Sequence, residues 1–180
     1  MRSHHRAGPG GRKNEFMPGP RLDPTLHSIE PADRERLIEL DEQITGLSRR
    51  EFYVRRLLHE SGDLRVSIGA EVGGVLVGAI LGTLRDGESG VPEPIAILDT
   101  VLVDRSHQGR GVATAMLEQL AANLRAFGVR RIRTELSWED QQLDGFLSRR
   151  GFAPVPQRVL EMTLPAPVRP ARPTGPWRQP

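Results

Sequence analysis

Ile95-Ala-Ile-Leu-Asp-Thr-Val-Leu-Val103, followed after Asp104 to His107 by Gln108-Gly109-Arg110-Gly111-Val112-Ala113, decides how the rest of the chain is read. The first run is rich in β-branched residues and short enough for a buried strand. The second opens a helix, because Ala113, Met116, Leu117, Leu120, Leu124 and Phe127 recur at three- and four-residue spacing and make one apolar face. The first N–H groups of a helix lack intrahelical acceptors and lie at the positive end of its dipole. A strand that turns through glycines into a helix start is therefore an anion site, with Gly109 and Gly111 keeping side chains away from the donors. Gly128 ends the helix, and Arg131, Arg133 and Glu135 alternate with Ile132, Thr134 and Leu136 as a half-buried strand. Together these segments make a βαβ unit.

The glycines do not fit the two better-known phosphate loops. A dinucleotide fingerprint needs G-x-G-x-x-G, and a Walker loop needs Lys followed by Ser or Thr, whereas Gly111 is followed by Val112, Ala113 and Thr114. Upstream, Thr25 to Ile29 reads as a short strand, and Pro31-Ala-Asp-Arg starts a helix through Leu37, Ile38 and Leu40. Ser48 to Glu51 has capping-box spacing before a second helix with Phe52, Leu57 and Leu58. Leu64 to Ala70 and Gly74 to Leu84 read as a hairpin turning at Gly73-Gly74, and Asp86 to Pro94 as a loop. Ser137 and Asp140 bracket another helix start, with Arg149, Arg150 and Gly151 at its end. Val155 to Leu164 reads as a final strand or two.

Composition narrows the function classes. The 180 residues contain no cysteine, which excludes disulfides, thiolate metal sites and a cysteine nucleophile. The histidines at 4, 5, 27, 59 and 107 have no zinc-type spacing, so no metal is expected. No apolar stretch approaches a membrane span and no secretory apolar core follows the N-terminus, so a cytoplasmic protein without a membrane partner is expected. The formal charge is only +2 and Lys13 is the one lysine, so the arginines carry the positive charge far up the pH scale. They are spread along the chain without interleaved aromatics, which argues against a nucleic-acid partner. Residues 1–24, rich in Gly, Pro, Arg and His, and the Pro/Arg-rich tail 165–180 read as disordered, which leaves residues 25–164 as the working domain. Met17 is an alternative initiator.

Gln108, Gly111 and Ala113 fit Q/R-x-x-G-x-G/A, and this segment resembles the pyrophosphate-binding motif of the GCN5-related N-acetyltransferase (GNAT) superfamily. The order β-α-α-β-β-β-α-β-α-β, Val103-Asp104 at the strand end and Gly151-Phe152 after the last helix are similar to that family as well. The resemblance implies a three-layer α/β fold: a mixed central sheet of about six to seven strands, splayed parallel central strands and flanking helices. It implies acetyl-CoA as cosubstrate. Gln108, Gly109, Arg110, Gly111, Val112, Ala113 and Thr114 would hold its pyrophosphate; Val101, Leu102 and Val103 would line its acetyl-pantetheine arm, with the Val101 N–H as oxyanion donor.

Asp99 interrupts the apolar run, and a charge inside a central strand is costly unless paired or functional. In family members an acid here acts as general base, so Asp99 is the base candidate, weighed against a structural partner for an arginine. Strand alternation puts Thr100 on the opposite face. The tyrosine that many relatives place four residues before the helix-ending glycine is replaced by Leu147, with Phe146 and Ser148 beside it. Tyr53, the only tyrosine, is the candidate proton donor, weighed against packing in the second helix. Trp138 and Phe146 are weighed between ligand contact and core, Arg49 and Arg50 between an acidic acceptor and a solvated face, His107 as a phosphate contact, and Asp140 as a cap. The implied function is acetyl transfer from acetyl-CoA to a primary amine, on a protein or a small molecule, by direct attack in a ternary complex. The alternative is a non-catalytic acyl-CoA sensor. Homodimers are common in the family, so a homodimer is an allowed state.

Overall fold

The computed structural model describes residues 19–58, 65–85 and 93–164. The chain divides into two units, Met1–Leu136 and Ser137–Pro180. In the first, β1 (Thr25–His27) leads through a 3-10 turn into α1 (Arg34–Thr45) and α2 (Arg50–Leu58). The hairpin β2 (Arg65–Val72) and β3 (Val75–Arg85) follows, then β4 (Ile95–Val103), α3 (Val112–Ala126) and β5 (Arg131–Thr134). The hairpin turn is where the Gly-Gly pair predicts it: Gly73 and Gly74 have φ of 61° and 76°, and Val72 faces Val75 across it. Two successive left-handed residues match the strand twist and are open to glycine at little cost.

The sheet has five strands in the order β1-β2-β3-β4-β5, antiparallel except for the parallel β4–β5 pair. This is the mixed α/β sheet expected, with fewer strands than six to seven. Val155 to Leu164, expected to add one or two, forms none. Pro154 and Pro156 have no N–H to donate to a ladder, and Val159, Leu160, Met162 and Leu164 are left exposed.

Helices cover both faces of the sheet. Leu37, Ile38 and Leu40 of α1 and Tyr53 and Leu57 of α2 pack on Leu76, Ala79, Leu81 and Leu102. On the other face α3 lies so close to β3 that a Cβ at Gly78 would stand 2.9 Å from the Met116 side chain and 3.1 Å from that of Val112. Full burial of an aliphatic side chain is worth about 1.5–3 kcal/mol, so these two layers fix the helices to the sheet. Phe127, expected on the apolar face of α3, is exposed, and Val129 is buried in its place. The helix stops before Phe127 turns inward: Gly128, at φ 78°, reverses the chain and the Val129 N–H bonds back to Leu124 O at 3.0 Å.

β4 is irregular at its centre. Leu81 of β3 faces Thr100 and the next residue, Gly82, faces Leu98, so Asp99 is an extra residue with no partner across the pair. Gly82 makes the bulge possible, since a Cβ there would lie 2.3 Å from Ile97 O. Beyond the bulge, β4 also loses β5: their pairing runs from Ile95↔Arg131 to Leu98↔Thr134 and stops, while β4 continues to Val103.

Residues 1–18 and 165–180 lie outside the described residues. The stretch expected to be disordered up to Pro24 is docked from Gly19 onward. Leu22 N–H donates to Arg110 O at 2.9 Å, Arg110 Nε donates to Pro20 O at 3.1 Å, and Pro24 is buried. His27 Nε2 meets Asp33 Oδ2 at 3.3 Å, and the ligand-type atoms of His27, Asp33 and Glu71 lie within 4.8 Å of one another, a grouping linear spacing does not reveal. Asp33 also accepts the Glu30 N–H at 2.8 Å, which ties this cluster to the turn before α1.

In the second unit α4 spans Gln141–Ser148. Asp140 is its N-cap residue, though its side chain makes no capping bond. Gly151, at φ 91°, follows the helix end, where the Phe152 N–H donates to Leu147 O at 3.1 Å. Trp138, weighed between ligand contact and core, is 99% exposed and so is not a core residue, and Leu147 is buried. Arg150 lies 5.8 Å from the Phe146 ring centre.

Candidate active site

The site is assembled around the second half of β4. From Asp99 to Val103 the strand ladders with β3 alone among the described residues, so alternate N–H and C=O groups up to Leu102 face an edge that no strand covers. Val101 and Val103 are half-buried and Leu102 is buried in the α1–α2 core. The strand thus packs by its side chains and still offers main chain.

The strand end is latched to the glycine turn. Asp104 N–H donates to Val77 O at 2.8 Å, and Val77 is itself the extra residue of a second bulge, between Gly78 and Leu76 of β3. Gln108 Nε2 donates to Val103 O at 3.0 Å, so its side chain braces the loop against β4. His107 Nδ1 lies 3.2 Å from Asp104 Oδ1, with Ser106 on the same carboxylate. These contacts, the Ser106 hydrogen bond first, hold the Asp104 carboxyl below its ordinary pKa. Gly109 and Gly111 have φ of 67° and 91°, and Gly111 is the N-cap of α3. The first i to i+4 bond of the helix runs from Ala115 N–H to Gly111 O, so the N–H groups of Val112 and Ala113 stand at the open start of the helix. Since the carbonyl of Arg110 is taken by Leu22, the trans peptide turns the Gly111 N–H to the opposite side. Gly19 to Leu22, which sequence reasoning set aside, therefore fix one wall of the loop.

On the other flank, α2 meets the bulge. The bulge breaks the alternation that put Asp99 and Thr100 on opposite faces. Thr100 Oγ1 donates to Asp99 Oδ1 at 3.0 Å, and Arg56 Nη2 donates to Asp99 Oδ2 at 2.8 Å. Asp99 remains 34% exposed, and its pKa is raised, chiefly by burial, against the lowering effects of Arg56, Thr100 and Arg49. Glu51, Phe52, Arg55 and Arg56 line a cleft of about 540 Å³ on this side.

Tyr53 is brought near Asp99, one residue away at Thr100, but from inside the core. It is fully buried, and its hydroxyl accepts from Arg49 Nη2 at 3.4 Å. Burial first, and then the Asp41 charge, push its pKa up; Arg49 and a Thr100 hydrogen bond act the other way. Arg49 forms a two-pronged pair with the fully buried Asp41, its Nε donating to Oδ2 at 2.7 Å. Arg50 Nη2 donates to Glu35 Oε2 at 2.7 Å. Sequence reasoning missed Arg56, and neither spacing nor composition signals it.

A sequence model of the acetyltransferase (GNAT) family matches residues 29–152. No curated protein matches the chain. Solved structures share the fold. A transcriptional regulator from Bacillus halodurans C-125 superposes at TM-score 0.67 with 16% identity, over 79% of this chain and 100% of that one. AAC(6')-Iy, in complex with the bisubstrate analogue CoA-S-monomethyl-acetylneamine, gives 0.66 at 17% identity over 81% and 100%. A ribosomal-protein-alanine N-acetyltransferase from Brucella melitensis biovar Abortus 2308 gives 0.65 at 17% identity over 79% and 100%.

Proposed function

This chain belongs to the GNAT family of acetyltransferases, and from that premise we propose that it moves an acetyl group from acetyl-CoA to a primary amine by direct attack in a ternary complex. The observation that carries this reading is the end of β4, unpaired on the β5 side, running straight into the glycine turn at the α3 start. Main-chain donors there suit an extended amide-bearing arm and a pyrophosphate, the two features of acetyl-CoA that a protein backbone can hold.

In this reading the turn from Gln108 to Thr114 takes the pyrophosphate, with Gln108 bracing the turn. Val101 to Val103 pair with the acetyl-pantetheine arm, and the Val101 N–H stabilises the charge that develops on the thioester oxygen. Asp99 takes a proton from the incoming ammonium, directly or through water. The freed lone pair attacks the thioester carbon, the C–S bond breaks, and the thiolate leaves and is protonated by solvent. Leu147 offers no proton, and the sealed hydroxyl of Tyr53 serves to hold Thr100 and Arg49 in place. A thiolate leaves readily, so no dedicated acid is required.

Thiol release from acetyl-CoA in the presence of an amine panel tests the reading, with calorimetry of CoA binding alongside. Acceptor-dependent release supports transfer; tight CoA binding without release from any amine assigns the chain to the sensor class. The same protein in a sizing column with light scattering decides between monomer and homodimer.

A further inference from the structure

Four arginines sit at and within α2, and each has a carboxylate: Arg49 with Asp41, Arg50 with Glu35, Arg55 with Glu51, and Arg56 with Asp99. Three of those carboxylates belong to α1 or α2, so their pairs are internal to the helical layer. The fourth is Asp99, on the bulge of β4. Arg56, one of the residues that line the α2 cleft, therefore holds its guanidinium beside the Asp99 carboxylate, with Nη2 2.8 Å from Oδ2.

An acceptor ammonium that reaches Asp99 also arrives beside the Arg56 guanidinium. Like charges at such separations repel unless an anion intervenes, and one carboxylate already engaged by Arg56 is shared between the two cations. An acceptor that brings its own carboxylate removes the conflict: its ammonium lies on Asp99 and its carboxylate on Arg56, two charge-assisted contacts replacing one. A guanidinium fork suits a planar carboxylate in particular. A polycation has no anion to offer and gains nothing from Arg56.

We propose that the acceptor is a small amino-carboxylate, an α- or β-amino acid whose zwitterion is read by the Arg56–Asp99 pair, and that Arg56 is the residue that sets this specificity. The inference rests on the acetyltransferase reading for turnover but not for binding.

Matched acceptors test it with the full-length protein: glycine, β-alanine, glutamate and phenylalanine against their carboxamides, with spermidine and kanamycin as polycations. Thiol release and, independently, calorimetric binding to the CoA-loaded protein are measured for each. At least one amino acid is expected to exceed its amide by about tenfold to a hundredfold, the worth of one charge-assisted contact. In Arg56→Gln that ratio collapses towards one, whereas Arg50→Gln, which touches only Glu35, keeps it. Equal or better use of amides or polycations, no binding of any amino acid, or an unchanged ratio in Arg56→Gln overturns the inference. Arg56-dependent binding of an amino acid without thiol release sustains it and removes the enzyme reading; release from polycations alone does the reverse.

Discussion

Along Gln108 to Thr114 the groups offered to a ligand are main-chain N–H donors set by Gly109 and Gly111, whereas between α2 and Asp99 they are side-chain charges joined across the fold. The first half takes its donor geometry from glycine torsions and the start of α3, with Gly19 to Leu22 docked against it as one wall. The second half depends on a contact spanning 43 positions, from Arg56 to Asp99, and on a bulge that Gly82 of a third segment permits. A backbone site tolerates sequence change as long as its glycines remain. A charge-pair site changes its chemistry with one substitution, which suits the half that must choose an acceptor.

The side-chain half should break most severely at its centre. Asp99→Asn is expected to lower kcat by about 10²–10⁴-fold, the range for losing a general base, with the KM for acetyl-CoA little altered. Burial raises the Asp99 pKa while Arg56 opposes the shift. The base must be ionised, so kcat/KM falls as pH drops through that raised value. Arg56→Gln should move this acid limb to higher pH, and Asp99→Asn should abolish it. A pH–rate profile of the three proteins checks both signs; an unchanged profile in Asp99→Asn removes Asp99 as base. Next in size, Arg49→Met leaves the fully buried Asp41 without its ionic partner. Urea unfolding should show a loss of about 3–5 kcal/mol, the cost of breaking a buried pair from one side. A loss under about 1 kcal/mol would place the pair with ordinary surface bridges instead.

The same contrast explains what could be read from the sequence. Ile95–Val103 as a strand, the Gly73-Gly74 turn and the helix start after Gly111 are all set by short-range torsion and periodicity, and each appears where spacing puts it. Thr100 was misplaced because alternation assumes an unbroken ladder, and the bulge at Asp99 is dictated by close packing at Gly82, on another strand. Phe127 is exposed where periodicity puts it in the core, and the core alternative for Trp138 fails likewise, because apolar character predicts burial only where packing receives the ring. Arg56 was invisible because nothing in Phe52 to Leu57 distinguishes an arginine that faces solvent from one that meets β4. The docking of Gly19 to Leu22 escaped for a related reason: its bonds are made by backbone to Arg110, independent of the Gly/Pro composition that suggested disorder.

The backbone half yields a smaller, separable effect. Gly111→Ala forces an L side chain to φ 91° at the N-cap of α3. The left-handed conformation costs about 1–2 kcal/mol for such a residue. The variant should unfold earlier in urea and raise the KM for acetyl-CoA by about tenfold, each ~1.4 kcal/mol being a factor of ten. The amine KM should stay near its original value. Equal rises in both constants would show that the two halves are coupled through the β4 end rather than separable.

The smallest effect belongs to Tyr53, which reaches the side-chain half through Thr100 from inside the core. Its hydroxyl is buried against Arg49, and its raised pKa keeps it protonated throughout the working range of pH. A group that neither solvent nor thiolate reaches cannot relay a proton on each turnover, whereas a buried hydroxyl can hold its neighbours. Tyr53→Phe removes one hydrogen-bonding group and keeps the ring that packs at 5.0 Å on Phe52. The expected cost is about 0.5–1.5 kcal/mol of stability with kcat within a few-fold and the alkaline side of the pH profile unmoved. A fall of kcat by two orders of magnitude with the loss of an alkaline limb would instead make Tyr53 the proton donor, and would require the α1–α2 layer to open during turnover.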